Sequence, residues 1–197
     1  MNRSLMMIAA GSKPSALSLI GILLLAVGHS ATAAQALDMT ITANVMEDHC
    51  AIQIEPSTVE LPVIAARTLD EDGQTPTDFG SQASFNVEVT DCDDADQLSA
   101  LHFSIQPASG VFPAGYQQVF ANDLPVESKG AGGVGIVVFW HDGQQNVLNN
   151  DGTSDVVVPT TPDDYRQSYA FDVRYQKIGS VSAGQVSTTL LVDVEYQ

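Results

Sequence analysis

Basic residues are scarce in this chain of 197 residues: seven Lys and Arg stand against 24 Asp and Glu, a formal charge of −17. That balance argues against nucleic acid and anionic membrane surfaces as partners, because like charges repel. Long hydrophobic runs are missing too. The longest is ALSLIGILLLAV at residues 16–27, only 12 residues, where a bilayer span needs about 20. No second apolar segment is long enough to cross a membrane. Helical periodicity is absent throughout. Cysteine is limited to Cys50 and Cys92, with no C-x-x-C and no paired histidine spacing. A zinc site needs closely spaced ligands of that kind, so none is expected. Cofactor motifs are also lacking, and no cofactor is expected.

The short apolar run has a meaning of its own. Arg3 and Lys13 are the only charges before Asp38, and Ser30, Ala31, Thr32, Ala33 and Ala34 follow the run. Ala31 and Ala33 fit the A-x-A pattern of a secretory signal, which places cleavage after Ala33, with Ala34 as the neighbouring choice. Residues 1–33 are therefore expected to be a signal peptide. Removing 33 residues from 197 leaves 164, enough for one domain with a core. Taking Arg3 and Lys13 from the seven basic residues leaves five against 24 acids, a formal charge of −19. Export implies an oxidising compartment, where two cysteines are more often bonded than free. A Cys50–Cys92 bond would close a loop of about 43 residues, which the chain-entropy account credits with roughly 4 kcal/mol.

What the remaining chain does contain is period-two alternation, the mark of half-buried strands. Met39, Ile41, Ala43 and Val45 alternate with polar neighbours, as do Phe85, Val87 and Val89, and Leu101, Phe103 and Ile105. IVVFW at residues 136–140 is a nearly continuous β-prone run, and residues 156–158 form a short one. Tyr169, Phe171, Val173 and Tyr175 alternate again. The last run is Val186, Thr188, Leu190, Val192, Val194 and Tyr196. Turn-forming pairs such as Asp72-Gly73, Asp142-Gly143 and Asp151-Gly152 lie between them. Many short strands with such punctuation predict an all-β sandwich or barrel. Residues 67–78 (RTLDEDGQTPTD) are polar and acidic and predict a mobile surface loop.

Chemistry finds little support. His49, His102 and His141 fall in different segments, with no G-x-S-x-G elbow and no H-E-x-x-H, so no enzyme is expected. The oxygen-rich stretches 70–73 and 149–155 could attract calcium, yet the second lacks the EF-hand pattern. Turn chemistry is the better reading of both. The informative features are terminal. The last alternating run holds over six positions and ends at Tyr196, beside the last residue, and an uncovered apolar strand of that kind is an aggregation hazard. The alternating run before Cys50 is not tied down by the disulfide. One strand in need of a neighbour and another free to supply one is the arrangement of β-strand addition between chains. Pairing of both strands within one complete sandwich fits the pattern equally well.

With these residues in view, the chain resembles the chaperone–usher pilins of the type 1-like fimbrial family over essentially its whole mature length. ITANVMEDHC at 41–50 is similar to the family's alternating strand leading to its first cysteine, and Cys50 and Cys92 sit where its single disulfide would be. GAGGVGI at 130–136 resembles its glycine-rich approach to a central strand, and YAFDVRY at 169–175 its F-x-x-x-Y strand. SAG at 182–184 and the final strand resemble its closing motif, with Gly184 fourteenth from the end and Tyr196 penultimate.

The resemblance implies an incomplete immunoglobulin-like sandwich: a six-stranded pilin fold that lacks its last strand and is completed by a donor strand. Residues 34–46 would be a donor extension and 47–197 the pilin domain. Met39, Ile41, Ala43 and Val45 would plug a neighbour's groove. Gly184, Val186, Thr188, Leu190, Val192, Val194 and Tyr196 would line this chain's own, and a chaperone would grip the terminal carboxylate of Gln197. The implied partners are a periplasmic chaperone, an outer-membrane usher and neighbouring pilin subunits. The implied destination is an extracellular fimbrium on the bacterial surface, with a contribution to surface adhesion. Many family members carry Gly near the position of Ala43, so the choice of neighbour is expected to be narrower here, since overpacking costs about 1–3 kcal/mol. The short extension before Asp38 favours a minor or adaptor subunit. The alternative is a tip adhesin or lectin-like module, for which 164 residues leave no separate receptor domain.

Overall fold

The structure, a computed structural model, describes residues 50–93 and 95–197, and residues 39–43 as backbone. The expected signal peptide and its cleavage point, Val45 and His49 lie outside the described residues. In chain order the strands are β1 (Met39–Ala43), β2 (Cys50–Glu55), β3 (Thr58–Val59), β4 (Ala83–Cys92), β5 (Ala100–Pro107), β6 (Phe120–Ala121), β7 (Val134–Trp140), β8 (Gln145–Asn146), β9 (Val156–Pro159), β10 (Ser168–Lys177) and β11 (Thr188–Tyr196). A single α-helix among the described residues, α1 (Ala66–Glu71), lies between β3 and β4.

Two sheets form, as the alternation predicts. One runs β3-β1-β11-β5-β9, and the other runs β2-β4-β10-β7-β6 with β8 also on β7. All pairings are antiparallel except β1 with β11. The fold is an all-β, immunoglobulin-like sandwich. Its centre is aromatic. Phe103 of β5 reaches across to Tyr169 and Phe171 of β10, with ring centroids 4.9 and 5.6 Å apart, and Phe85 of β4 stacks on Phe171 at 5.4 Å. Such pairs add about 0.5–1.5 kcal/mol each beyond the area they bury. Cys50 and Cys92 are register partners at the ends of β2 and β4, with Cα atoms 4.1 Å apart, and are disulfide-bonded.

β7 and β10 are buried on both faces, which explains why β7 reads as a continuous apolar run rather than an alternating one. On β10 the second face is polar. Arg174 and Gln176 are buried there at 3% and 2% exposure. Their partners come from the segment expected to be a mobile loop, and that expectation is corrected. Residues 66–71 form α1, and the chain after it crosses the outer face of β10. Arg174 donates to the carbonyls of Thr75 (2.7 Å) and Asp78 (2.8 Å), and Gln176 to that of Gln74 (2.8 Å). Lys177 holds α1 through Asp70, with Nζ 2.9 Å from Oδ1. Phe79 caps the crossing edge-on against Phe139, centroids 5.6 Å apart. Composition hid this because the anchoring donors lie about 100 residues downstream.

Candidate functional site

β11 forms one wall of the sandwich and ends the chain. Its even-numbered residues face inward: Thr188, Leu190, Val192 and Val194 are all at or below 1% exposure, and Val186 just before the strand is also buried. Tyr196 packs partly buried against the same core. On one side β11 is laddered to β5, from Leu190 opposite Pro107 to Tyr196 opposite Leu101. On its other side lies β1 of the same chain, parallel and in register from Met39 opposite Thr188 to Ala43 opposite Val192. β1 in turn meets β3, with Met39 opposite Val59 and Thr40 opposite Thr58. The place beside β11 is thus filled by the chain's own N-terminal strand, wedged between β11 and β3. Register brings Met39, Ile41 and Ala43 to Thr188, Leu190 and Val192.

Gly184 stands just ahead of the wall. It precedes β11 and lies against the backbone of Gly130 and Ala131, where an added Cβ would collide with both. The strand approach is fastened at that point: Ala131 N donates to Gln185 O at 2.7 Å and Gln185 N to Lys129 O at 2.8 Å. Asn122 and Asp123 then hold the start of β11. Ser187 N donates to Asn122 Oδ1 at 2.9 Å, and Thr189 N to Asp123 Oδ2 at 2.9 Å. At the other end the main-chain oxygen of Gln197 accepts from Ser99 N (2.6 Å), Ser99 Oγ (2.8 Å) and Ala100 N (3.1 Å). Both ends of the wall are therefore fixed from within the domain.

Sequence reasoning missed Thr58 and Val59, which flank β1 on its far side. A two-residue strand carries no alternation to detect. It also missed Ser99 and Ala100, whose two backbone N–H groups and one serine hydroxyl meet Gln197 from a segment 97 or more residues away and leave no local pattern.

The other titratable groups do not converge on this site. His141 Nδ1 lies 2.6 Å from the buried Asp172 Oδ2 on the outer face of the second sheet. That hydrogen bond, with the attraction of Asp172, raises the histidine above its ordinary value. His102 pairs with Asp155 at 2.8 Å near the β9 edge. Among the described residues no cluster of three or more His, Cys, Asp or Glu could hold a metal ion. Asp151 in the stretch 149–155 accepts from Thr153 N and Oγ1 at 3.0 and 2.7 Å, as an acidic turn residue does.

A family model described as fimbrial protein matches residues 37–197, from just before β1 to the last residue of the wall. The chain belongs to the fimbrial protein family. It is also 33% identical over 171 residues to a fimbrial-like protein, YadK of Escherichia coli strain K12, covering 81% of this chain and 85% of that one. The fimbrial family is structural rather than enzymatic, and membership makes this chain a fimbrial subunit, belonging to the extracellular fimbrium on the cell surface and interacting with other subunits. No helix among the described residues is long and apolar enough to cross a membrane.

Proposed function

We propose that this fimbrial subunit polymerises by donor-strand exchange: β1 leaves its own β11 and enters the equivalent place on a neighbouring subunit. The observation that supports the reading is the position of β1. It closes the edge of β11, and it precedes Cys50, so its departure breaks only its own ladders and leaves the disulfide-tied sandwich in place. The self-paired arrangement is five residues long and parallel, and parallel pairing is the less stable kind per residue. A strand from another chain that pairs over more of β11 would displace it. Backbone ladder bonds would supply affinity, and alternate side chains would set register.

On this reading residues 1–33 direct export to the periplasm, a chaperone strand holds the groove before assembly, and an outer-membrane usher passes the subunit to the fibre. The fibre then contributes to surface adhesion, with this chain as a minor or adaptor subunit. Ala43, in register with Val192, is the donor position most sensitive to added volume. Deleting residues 34–45 tests the proposal. The shortened subunit is expected to remain bound to its chaperone and to cap no neighbour, so that no fibres are seen by electron microscopy. Fibres formed by the shortened chain would overturn the assignment of β1 as donor.

A further inference from the structure

One residue of the β11 wall does not match the rest. Thr188 is 1% exposed, yet its hydroxyl has no hydrogen-bond partner among the described residues. Four buried side-chain polar atoms are in that position, and Thr188 Oγ1 is the one on β11. Its companions along the inward face are Val186, Leu190, Val192 and Val194. A valine would have the same shape without an unsatisfied group, and burying a hydroxyl without a partner is unfavourable.

The strand cannot turn to relieve the hydroxyl. Ser187 N and Thr189 N are held by the side chains of Asn122 and Asp123, and Ser187 O accepts from Asp123 N at 2.7 Å. The residue on either side of Thr188 is therefore fixed. Thr188 also stands at the first register position of β1, opposite Met39. By sequence the chain's own strand carries a methionine at this register position, and a thioether is only a weak acceptor.

We propose that Thr188 selects the incoming donor strand. Its hydroxyl favours a strand from another subunit that carries a hydrogen-bonding side chain (Ser, Thr, Asn or Gln) at the facing position, over a strand of purely apolar alternation. The same hydroxyl weakens the hold of the chain's own β1 and so biases the groove towards exchange. This rests on the strand-exchange reading and adds to it a chemical requirement on the donor. Hydroxyl pairs across neighbouring strands are an ordinary source of such preference.

The test uses the full mature chain and synthetic donor peptides spanning residues 37–45. One peptide has the native sequence. Others carry either Thr or Val in place of Met39, Ile41 or Ala43 in turn, so that the direction of insertion need not be assumed. Peptide uptake is measured by native mass spectrometry. At one position Thr is expected to exceed Val by about five-fold, the ratio that one net hydrogen bond gives. Thr188→Val should abolish that preference, and Thr188→Ser should retain it. Equal uptake of Thr and Val peptides at every position, or a preference that survives Thr188→Val, would overturn the role of Thr188 while leaving strand exchange intact. Failure of the wild-type chain to take up any peptide would instead remove the strand-exchange reading, and this inference with it.

Discussion

Gly184 shows how much one hydrogen can hold. A Cβ at this position would run into the backbone of Gly130 and Ala131, and neither neighbour is a side-chain tip that could swing away. Gly184→Ala is expected to lower the unfolding free energy by at least the usual overpacking cost, about 1–3 kcal/mol, read as a lower urea midpoint at unchanged m. An unchanged midpoint would mean that the approach to β11 is looser than it stands here. The glycine itself is visible in the sequence as the fourteenth residue from the end. Its partners are not, because the contact joins segments more than fifty residues apart. His141 gives a second prediction at this scale. Its pairing with Asp172 raises its pKa in the folded chain above the unfolded 6.5. A raised histidine contributes stability below the unfolded value and loses it as pH rises through the folded one. The melting-temperature difference between wild type and His141→Gln should therefore be largest near about pH 6 and shrink above the folded pKa. The imidazole is more than half exposed, so the effect will be small. A difference that grows with pH would contradict the assignment.

At the scale of elements, the segment from α1 to residue 82 is held from beneath by β10. Arg174 supplies hydrogen bonds to Thr75 and Asp78, and stands over the Phe139 ring at 5.4 Å. Arg174→Met should leave the strand pairing of β10 intact while residues 72–82 lose protection from amide exchange. The expected stability loss is about 1.5–3 kcal/mol, the range for a charged hydrogen-bonding group. Loss of protection throughout β4 and β7 instead would show that Arg174 supports the sheet rather than the crossing. The strands themselves were the most legible elements. β4, β5 and β11 alternate cleanly because one face meets the core and the other is more open. α1 was not legible: six residues are too few for a helical period, and one buried side chain, Leu69, fixes its orientation. β2 was less legible: Ile52 and Ile54 alternate over only six residues and are partly buried rather than fully buried.

For the whole molecule, the acidic excess and the proposed exchange of β1 bear on assembly together. Subunits with a formal charge of −17 repel one another as they approach, and salt screens that repulsion over about 10 Å at 0.1 M. Fibre growth should accelerate between low and physiological ionic strength, followed by light scattering. A slowing would point to attractive charge pairs at the subunit contact. The sandwich class was readable from period-two alternation. The sequence left open whether the N-terminal strand pairs within its own chain, because alternation is identical for a strand in either groove. The structure places it in its own.

The central claim is that β11 requires a strand and that β1 is a detachable one. The most direct measurement refolds residues 46–197 with and without a synthetic peptide of residues 34–45, followed by native mass spectrometry. The account predicts aggregation of the shortened chain alone and a soluble one-to-one complex when the peptide is present. A soluble, fully folded monomer of residues 46–197 without any peptide would contradict it.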